Sequence, residues 1–258
     1  EPLKYRPVTI CCLGDSVTHG CFEVYKSHLT EVDTRYAPNE GYVRKFDTVA
    51  DMQAATDLKD GMTCHTNGFH SVGDDGAAFY IISGIGTANG MDVLACANSL
   101  YATLVITESF ITPIMFGAYC DGVRDDTDVL TRMLDSLDNG TLICLRSDKT
   151  LTLSEPVVFD KNIGLRFDGN VRLLSTGGFV LGTRAFCYTY NQIQMSVITG
   201  SGYDGDNDAF KMVNAIFNDI KLRRVSSCRN GFVFNADKLS GVSIGQNIIS
   251  YTLIDRCN

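Results

Sequence analysis

The chain has 258 residues, 45% hydrophobic and 20% charged; that is enough apolar material for one large core or two or three small ones, and it excludes a disordered chain. Thirty acidic against 22 basic side chains leave a net charge of -8, which argues against nucleic acid as a partner, because phosphate-tracking surfaces rely on clustered Lys and Arg. No signal peptide is visible and no apolar run approaches the roughly 20 residues that span a bilayer, so no membrane insertion is expected.

Residues 1–46 open with a strand-like run, "VTICCL", that meets Gly14-Asp15-Ser16, and they end in "NEGYVRKF", a stretch suited to the start of a helix. Gly14 permits a tight turn and Ser16 falls where a helix begins, so its own N–H is placed to donate to an oxyanion. "CLGDSVTHGCFE" resembles the first block of the SGNH (GDSL-type) hydrolases, which implies Ser16 as an esterase nucleophile. In that family the base belongs to a late Asp-x-x-His, and none of His19, His28, His65 or His70 has Asp three positions before it. The segment therefore reads as a truncated or fused leader, with a serine esterase as the lesser alternative.

Residues 47–112 change character. "DTVADMQAATDLKDGMTCHTNGFHSVGDDGAAFYIIS" reads as a short helix followed by two strands, "MTCHTNGF" and "AAFYIIS", joined across the turn Gly73-Asp74-Asp75-Gly76. This is a small α+β hairpin module. His65 and His70 flank its turn, and without a third ligand a surface polar role is expected of them rather than a metal site.

From residue 113 onward the text becomes a capping segment and then an array of short β runs. Asp125 or Asp126 is placed to cap a helix over 126–137, whose Val129, Leu130, Met133, Leu134 and Leu137 form one apolar stripe. The array repeats itself. "NDIKLRRVSSC" (218–228) aligns with "NIISYTLIDRC" (247–257) at an offset of 29, superposing Asn218 on Asn247, Ile220 on Ile249, Val225 on Ile254 and Cys228 on Cys257. Such a period is the signature of a solenoid, in which one coil cannot bury its apolar face until neighbours stack on it. The segments "GLRF", "VRLL", "FVLG" and "GFVF" are expected to point inward, and the helix to close the exposed end of the coils. Stacked sandwich strands are the competing reading of one repeat pair.

"FGAYCDGVRDDTDVLTRML" (116–134) resembles the Phe-Gly-Ala … Gly-Asp-Gly … Asp-Asp-Thr opening of the pectate-lyase-like superfamily of phage tailspikes and polygalacturonase relatives, and the module before it looks like one that precedes that opening in phage tail proteins. The resemblance covers about residues 47–258. It implies a mainly β fold, a right-handed parallel β-helix with an N-terminal capping helix; the strand-like pattern running to residue 258 suggests that the helix is incomplete at its C-terminus. It further implies a homotrimer in a phage virion tail, or a prophage-encoded one, that binds and in some members cleaves bacterial surface polysaccharide. Tyr119-Cys120 departs from the family's Lys-Gly. The catalytic residues follow no shared motif, so none is carried over.

The candidate chemistry rests on the residues alone. In "SGYDGDNDAF", Asp204, Asp206 and Asp208 alternate, so an extended chain would hold them on one face about 6.5 to 7 Å apart, near the carboxylate spacing of inverting glycosidases. Asp219, or Asp237, is the candidate to complete an acid/base pair across neighbouring coils. A polar turn explains the same letters. The EF-hand pattern fails at Ala209 and Ala215, so neither a metal nor any other cofactor is expected. Tyr188 and Tyr190 alternate on one strand and are the candidates for stacking on sugar rings, with core packing as the alternative. The ten cysteines are scattered without a C-x-x-C pair, which fits buried thiols in a protein made in a reducing bacterial cytoplasm. Three readings stay open: a polysaccharide depolymerase acting as hydrolase or lyase, a non-catalytic tail adhesin, and a Ser16 esterase.

Overall fold

The computed structural model describes residues 43–106, 110–202, 204–234 and 244–257. Ser16, His19, His28 and Asp237 lie outside the described residues.

The described chain begins with β1 (Val43–Phe46), α1 (Val49–Ala54), β2 (Thr63–Thr66), β3 (Ala78–Ser83), β4 (Val93–Ala95) and β5 (Tyr101–Val105), and its strands form one sheet in the order β1-β2-β3-β5-β4. Residues 43–46, expected to open a helix, are instead a strand paired parallel to β2. Nothing in Val-Arg-Lys-Phe caps a helix; Thr48 does, and with Asp51 it makes a reciprocal capping box that starts α1 one residue later. β2 and β3 form the expected antiparallel hairpin. Ala78, Tyr80 and Ile82 point inward from β3, while Phe79 and Ile81 stay exposed. The connecting turn is organised by Asp74, whose carboxylate accepts N–H bonds from Phe69, His70, Ser71 and Gly76. Burial alone would raise the Asp74 pKa, but the four backbone donors outweigh it and hold the carboxyl below its ordinary value.

β6 (Phe110–Ile111) already belongs to the solenoid, and a 3-10 turn (Pro113–Phe116) leads from it to α2 (Thr127–Ser136). The departure at Tyr119-Cys120 is legible here. Cys120 takes φ 49, a region that favours glycine and costs another residue about 1 to 2 kcal/mol. The turn is kept because the buried Asp126 carboxylate accepts from the N–H groups of Tyr119 (2.7 Å) and Cys120 (3.3 Å) and from Thr152 N–H (3.2 Å). Asp126 sits at the N-cap position without capping the helix through its side chain; Asp125 does that, accepting from Thr127 N–H at 3.0 Å. Leu130, Met133, Leu134 and Leu137 are buried as the stripe predicts. At the other end Lys161 Nζ donates to the carbonyls of Leu134, Asp135 and Leu137, a cation on the negative end of the helix dipole.

Beyond α2 every strand pairing among the described residues is parallel. β7 (Leu142–Leu145), β8 (Thr150–Leu153) and β9 (Pro156–Phe159) begin the winding, followed by β10 (Gly164–Leu173), β11 (Gly178–Leu181), β12 (Tyr188–Thr189), β13 (Gln192–Thr199), β14 (Asp208–Met212), β15 (Ala215–Ile216), β16 (Asp219–Ser226), β17 (Asn230–Phe234), β18 (Ile244–Gly245) and β19 (Ile248–Asp255). They sort into three sheets: β6-β7-β10-β13-β16-β19, with β8 also on β10; β9-β11-β14-β17; and β12-β15-β18. The chain visits the three in rotation, which is a parallel β-helix. Partners Leu165↔Ile193, Ile193↔Ile220 and Ile220↔Ile249 give coils of 28, 27 and 29 residues. The last is the offset found in the sequence, and Val225 stacks on Ile254 as that alignment requires. Phe179, Phe210 and Phe232 make a second inward column with ring centroids 5.4 Å apart at each step.

One corner repeats in every full coil. Asn162, Asn191, Asn218 and Asn247 stand one above another. Asn191 N–H donates to Asn218 Oδ1 and Asn218 N–H to Asn247 Oδ1, both at 3.0 Å, while Asn218 Nδ2 also donates to the carbonyls of Tyr188 and Ile216. Tyr190, Phe217 and Gln246, each just before a ladder asparagine, take left-handed φ of 56, 56 and 53 and so turn the chain into the next sheet. The described cysteines are free. Burial pushes Cys64 up to about 11 and Cys228 to about 12, which makes them packing groups rather than nucleophiles.

Because Asn218 satisfies buried backbone groups of two coils, Asn218→Ala is expected to cost about 3 kcal/mol in urea unfolding. The exposed Asn170→Ala is expected to change stability by less than about 0.5 kcal/mol. Equal effects would remove the ladder from its structural role.

Candidate functional site

Asp204, Asp206 and Asp208 do not alternate on an extended strand. The chain turns at Gly202, where φ is 133 and the carbonyl accepts from Gly205 N–H, and only Asp208 enters a strand, as the first residue of β14. Asp204 is exposed. Asp206 and Asp208 are drawn together by Arg229: its Nη1 lies 3.3 Å from Asp206 Oδ1, and its Nε and Nη2 make a bidentate pair with Asp208 at 3.0 and 2.8 Å. Asn230 Nδ2 adds a 2.7 Å bond to Asp208. Burial pushes the Asp208 carboxyl up, but the Arg229 and Asn230 hydrogen bonds prevail and hold it below its ordinary 3.8. These groups rim a small recess of about 270 Å³ with Phe179, Val180 and Lys211.

Asp219 is on a different sheet, opening β16, where it pairs with Lys221 at 2.8 Å. It therefore completes no acid/base pair with Asp208. The two tyrosines also part company. Tyr188 is fully buried, with its hydroxyl donating to Ile163 O and its ring edge-on to Phe159, so it is core and touches no ligand. The left-handed turn at Tyr190 breaks the alternation, leaving that ring 75% exposed and stacked on Phe217 at 5.0 Å. His65 packs edge-on to Phe79, while His70 hydrogen bonds Gly117 O through Nε2 and stacks on Tyr119. The two histidines have separate structural partners.

A concave polar surface larger than that recess is one that sequence reasoning missed. On the outer face of the first sheet a trough of about 620 Å³ crosses three coils. Met195, Leu222 and Tyr251 line its middle, Tyr251 with its side chain exposed. Gln194, Lys221 and Ser250, register partners in adjacent coils, stand along one wall, and Asp168, Ser196, Arg223 and Thr252 along the other. The trough lies where the sheet bends. Between Phe167 and Asn170, β10 carries two residues opposite the single Ser196 of β13, a β-bulge that re-aims the outward side chains. Gly169 is the second of these, and a Cβ there would meet the carbonyl oxygens of Arg146 and Lys149 at 2.2 and 2.5 Å. Only glycine fits that approach.

The trough's charges are arranged unequally. Lys221 is paired with Asp219, and Arg166, at its edge, lies 3.6 Å from Asp168. Arg224, one residue on, is paired with Asp255 at 3.0 Å. Arg223 is exposed and makes no ion pair or hydrogen bond among the described residues. The signal that could have exposed this wall is in the repeat itself: "IQMS", "IKLR" and "ISYT" align, and their second and fourth letters are always polar.

No protein-family model and no curated protein matches the chain. Among solved structures, Pantoea stewartii WceF, described as a glycan biofilm modifying enzyme with a bacteriophage tailspike-like parallel β-helix fold, is 11% identical over 85% of this chain and 38% of its own, with a TM-score of 0.48. Tailspike gp49 of Acinetobacter baumannii bacteriophage Fri1, a capsular polysaccharide depolymerase, is 10% identical over 83% of this chain and 54% of its own, TM-score 0.48. The Acinetobacter phage vb_AbaP_AS12 gp42 tailspike is 16% identical over 84% of this chain and 44% of its own, TM-score 0.46. The chain thus spans about half or less of the length of these neighbours.

The Arg229 clamp has a pH consequence. Because the folded pKa of Asp208 is depressed, its contribution to stability is fully present above the unfolded value near 3.8 and is lost as pH falls through the folded value. Acidification from about pH 5 to 3 is expected to lower the urea midpoint of the unmodified chain more steeply than that of Asp208→Asn. Parallel slopes would show that Arg229 stabilises no charge there.

Proposed function

We propose that the chain is part of a tailspike-like protein that binds bacterial surface polysaccharide along the outer trough of its first sheet, as a subunit of a phage tail assembly. The observation that carries this reading is the repetition of polar side chains at the coil spacing. Gln194, Lys221 and Ser250 recur along one wall and Ser196, Arg223 and Thr252 along the other, so successive sugar units of a polymer meet equivalent amide, hydroxyl and cationic groups about 4.8 Å apart. Amides and hydroxyls that both donate and accept suit the hydroxyl-rich edges of sugars. The binding is with the face of a rigid sheet, which needs no ordering when the ligand arrives.

Binding without cleavage is the better supported form of this reading for the described coils. Glycoside hydrolysis needs one carboxyl kept protonated as general acid and a second one ionised, and Asp208 is held ionised by Arg229 and Asn230. Asp219, on the other sheet, is tied to Lys221. The esterase alternative rests on Ser16, outside the described residues.

The test is immobilised purified capsular polysaccharides and O-chains from a panel of bacteria, with binding and soluble sugar release read in parallel. Saturable binding to one or a few glycans, weakened about tenfold or more by the double variant Gln194→Ala/Ser250→Ala, is expected, with no new reducing ends or unsaturated sugars. Release of sugar that disappears in Asp208→Asn would replace binding by hydrolysis at the Arg229 recess. Saturable binding that the trough variant leaves unchanged would move the site elsewhere.

A further inference from the structure

The trough carries a feature that a merely neutral glycan would not need. The chain as a whole has eight more acidic than basic groups, yet the outer face of the first sheet between β10 and β19 gathers Arg166, Arg172, Lys221, Arg223 and Arg224 against Asp168, Asp219 and Asp255. Three of the cations are matched by the three carboxylates at 2.8 to 3.6 Å, and Arg172 donates to Gly122 O. Arg223 is left over. It stands two residues from Lys221 on the same strand, so the two side chains flank Leu222 from opposite sides.

Resting on the glycan reading of the trough, we infer that the ligand is an anionic polysaccharide whose sugar carboxylate is received by Arg223, with Lys221 on the opposite wall. An exposed arginine without a side-chain partner among the described residues keeps its planar fork of donors available, and a carboxylate accepts two of them side by side. Gln194, Ser196, Ser250 and Thr252 then face the hydroxyls of the same and neighbouring units. Lys221 is oriented by Asp219, whose carboxylate accepts from its ammonium. Two classes of sugar acid present such a group, uronic acids and nonulosonic acids, and both bring the same carboxylate.

The probes are alginate for uronate and colominic acid for nonulosonate, each against its own carboxyl-reduced form, with dextran as the neutral polymer. Titration follows the full chain by biolayer interferometry at two salt concentrations. At least one acidic polymer is expected to bind roughly ten- to a hundredfold tighter than its reduced form, the range for hydrogen bonds to a charged partner, and more weakly at the higher salt. Arg223→Gln should bring the ratio of native to reduced affinity down towards one, and Arg223→Lys should restore part of that ratio. Which acidic polymer binds tells the two sources apart. Equal binding of native and reduced polymers, or a preference that survives Arg223→Gln, overturns the inference and leaves the glycan reading standing, as does a capsule panel in which only neutral glycans bind. Binding to none of these polymers, with the capsule panel also negative, removes the glycan reading itself.

Discussion

The structure depends on parallel in-register stacking at one corner. A coil of 27 to 29 residues has three short strands and no means of burying its own interior. What makes adjacent coils commensurate is that Asn218 and Asn247 each accept through Oδ1 from the backbone N–H of the ladder asparagine one coil earlier, and side-chain amide bonds continue the column from Asn191 to Asn162 and from Asn218 to Asn247. With that point fixed, a slip of one residue would send Ile193, Ile220 and Ile249 to the outside. The register therefore decides both the inward columns and the outward ones.

The corner is built at some expense. Left-handed backbone is natural to Gly and Asn, and Tyr190 and Phe217 occupy it at about 1 to 2 kcal/mol each. Their rings lie nearly parallel, 6° between planes, outside the core. Stacking returns about 0.5 to 1.5 kcal/mol, and the ladder bonds that the bend makes attainable offset the rest. Tyr188, two residues earlier, is still in the strand before the bend and is buried; the bend alone explains why two tyrosines in one short segment have opposite fates.

The periodic part of the fold was legible and the local exceptions were not. The offset of 29, the inward Ile and Val columns and the apolar stripe of α2 all follow from repetition of apolar letters, which the sequence displays directly. The segment holding Asp204 and Asp206 suits an extended strand and a polar turn equally, because alternation of Asp with Gly and Asn looks the same in both. Gly202 at φ 133 decides between them, and a glycine does not announce its φ. Asp125 and Asp126 were interchangeable as caps in the sequence; only the depth of Cys120 and Thr152 behind the helix shows that Asp126 is committed to them. Val43–Phe46 became a strand through pairing with Thr63–Thr66, a contact no local window contains.

Function follows the same division between inside and outside. Inward letters are constrained by the column above and below, so they carry little beyond packing. Outward letters are free of that constraint, and what occupies them reflects something other than the core. Arg229 and Arg223 illustrate the difference. Both belong to the last full coil, Arg223 in β16 and Arg229 in the bend before β17, but Arg229 turns toward two aspartates supplied by the preceding coil and is consumed in holding a bend. Arg223 projects from β16, two strands from the β10 bulge whose Asp168 lies against Arg166. The sequence distinguishes neither; the coil-to-coil register does, by assigning each guanidinium its neighbours, and it leaves one of them open to a ligand.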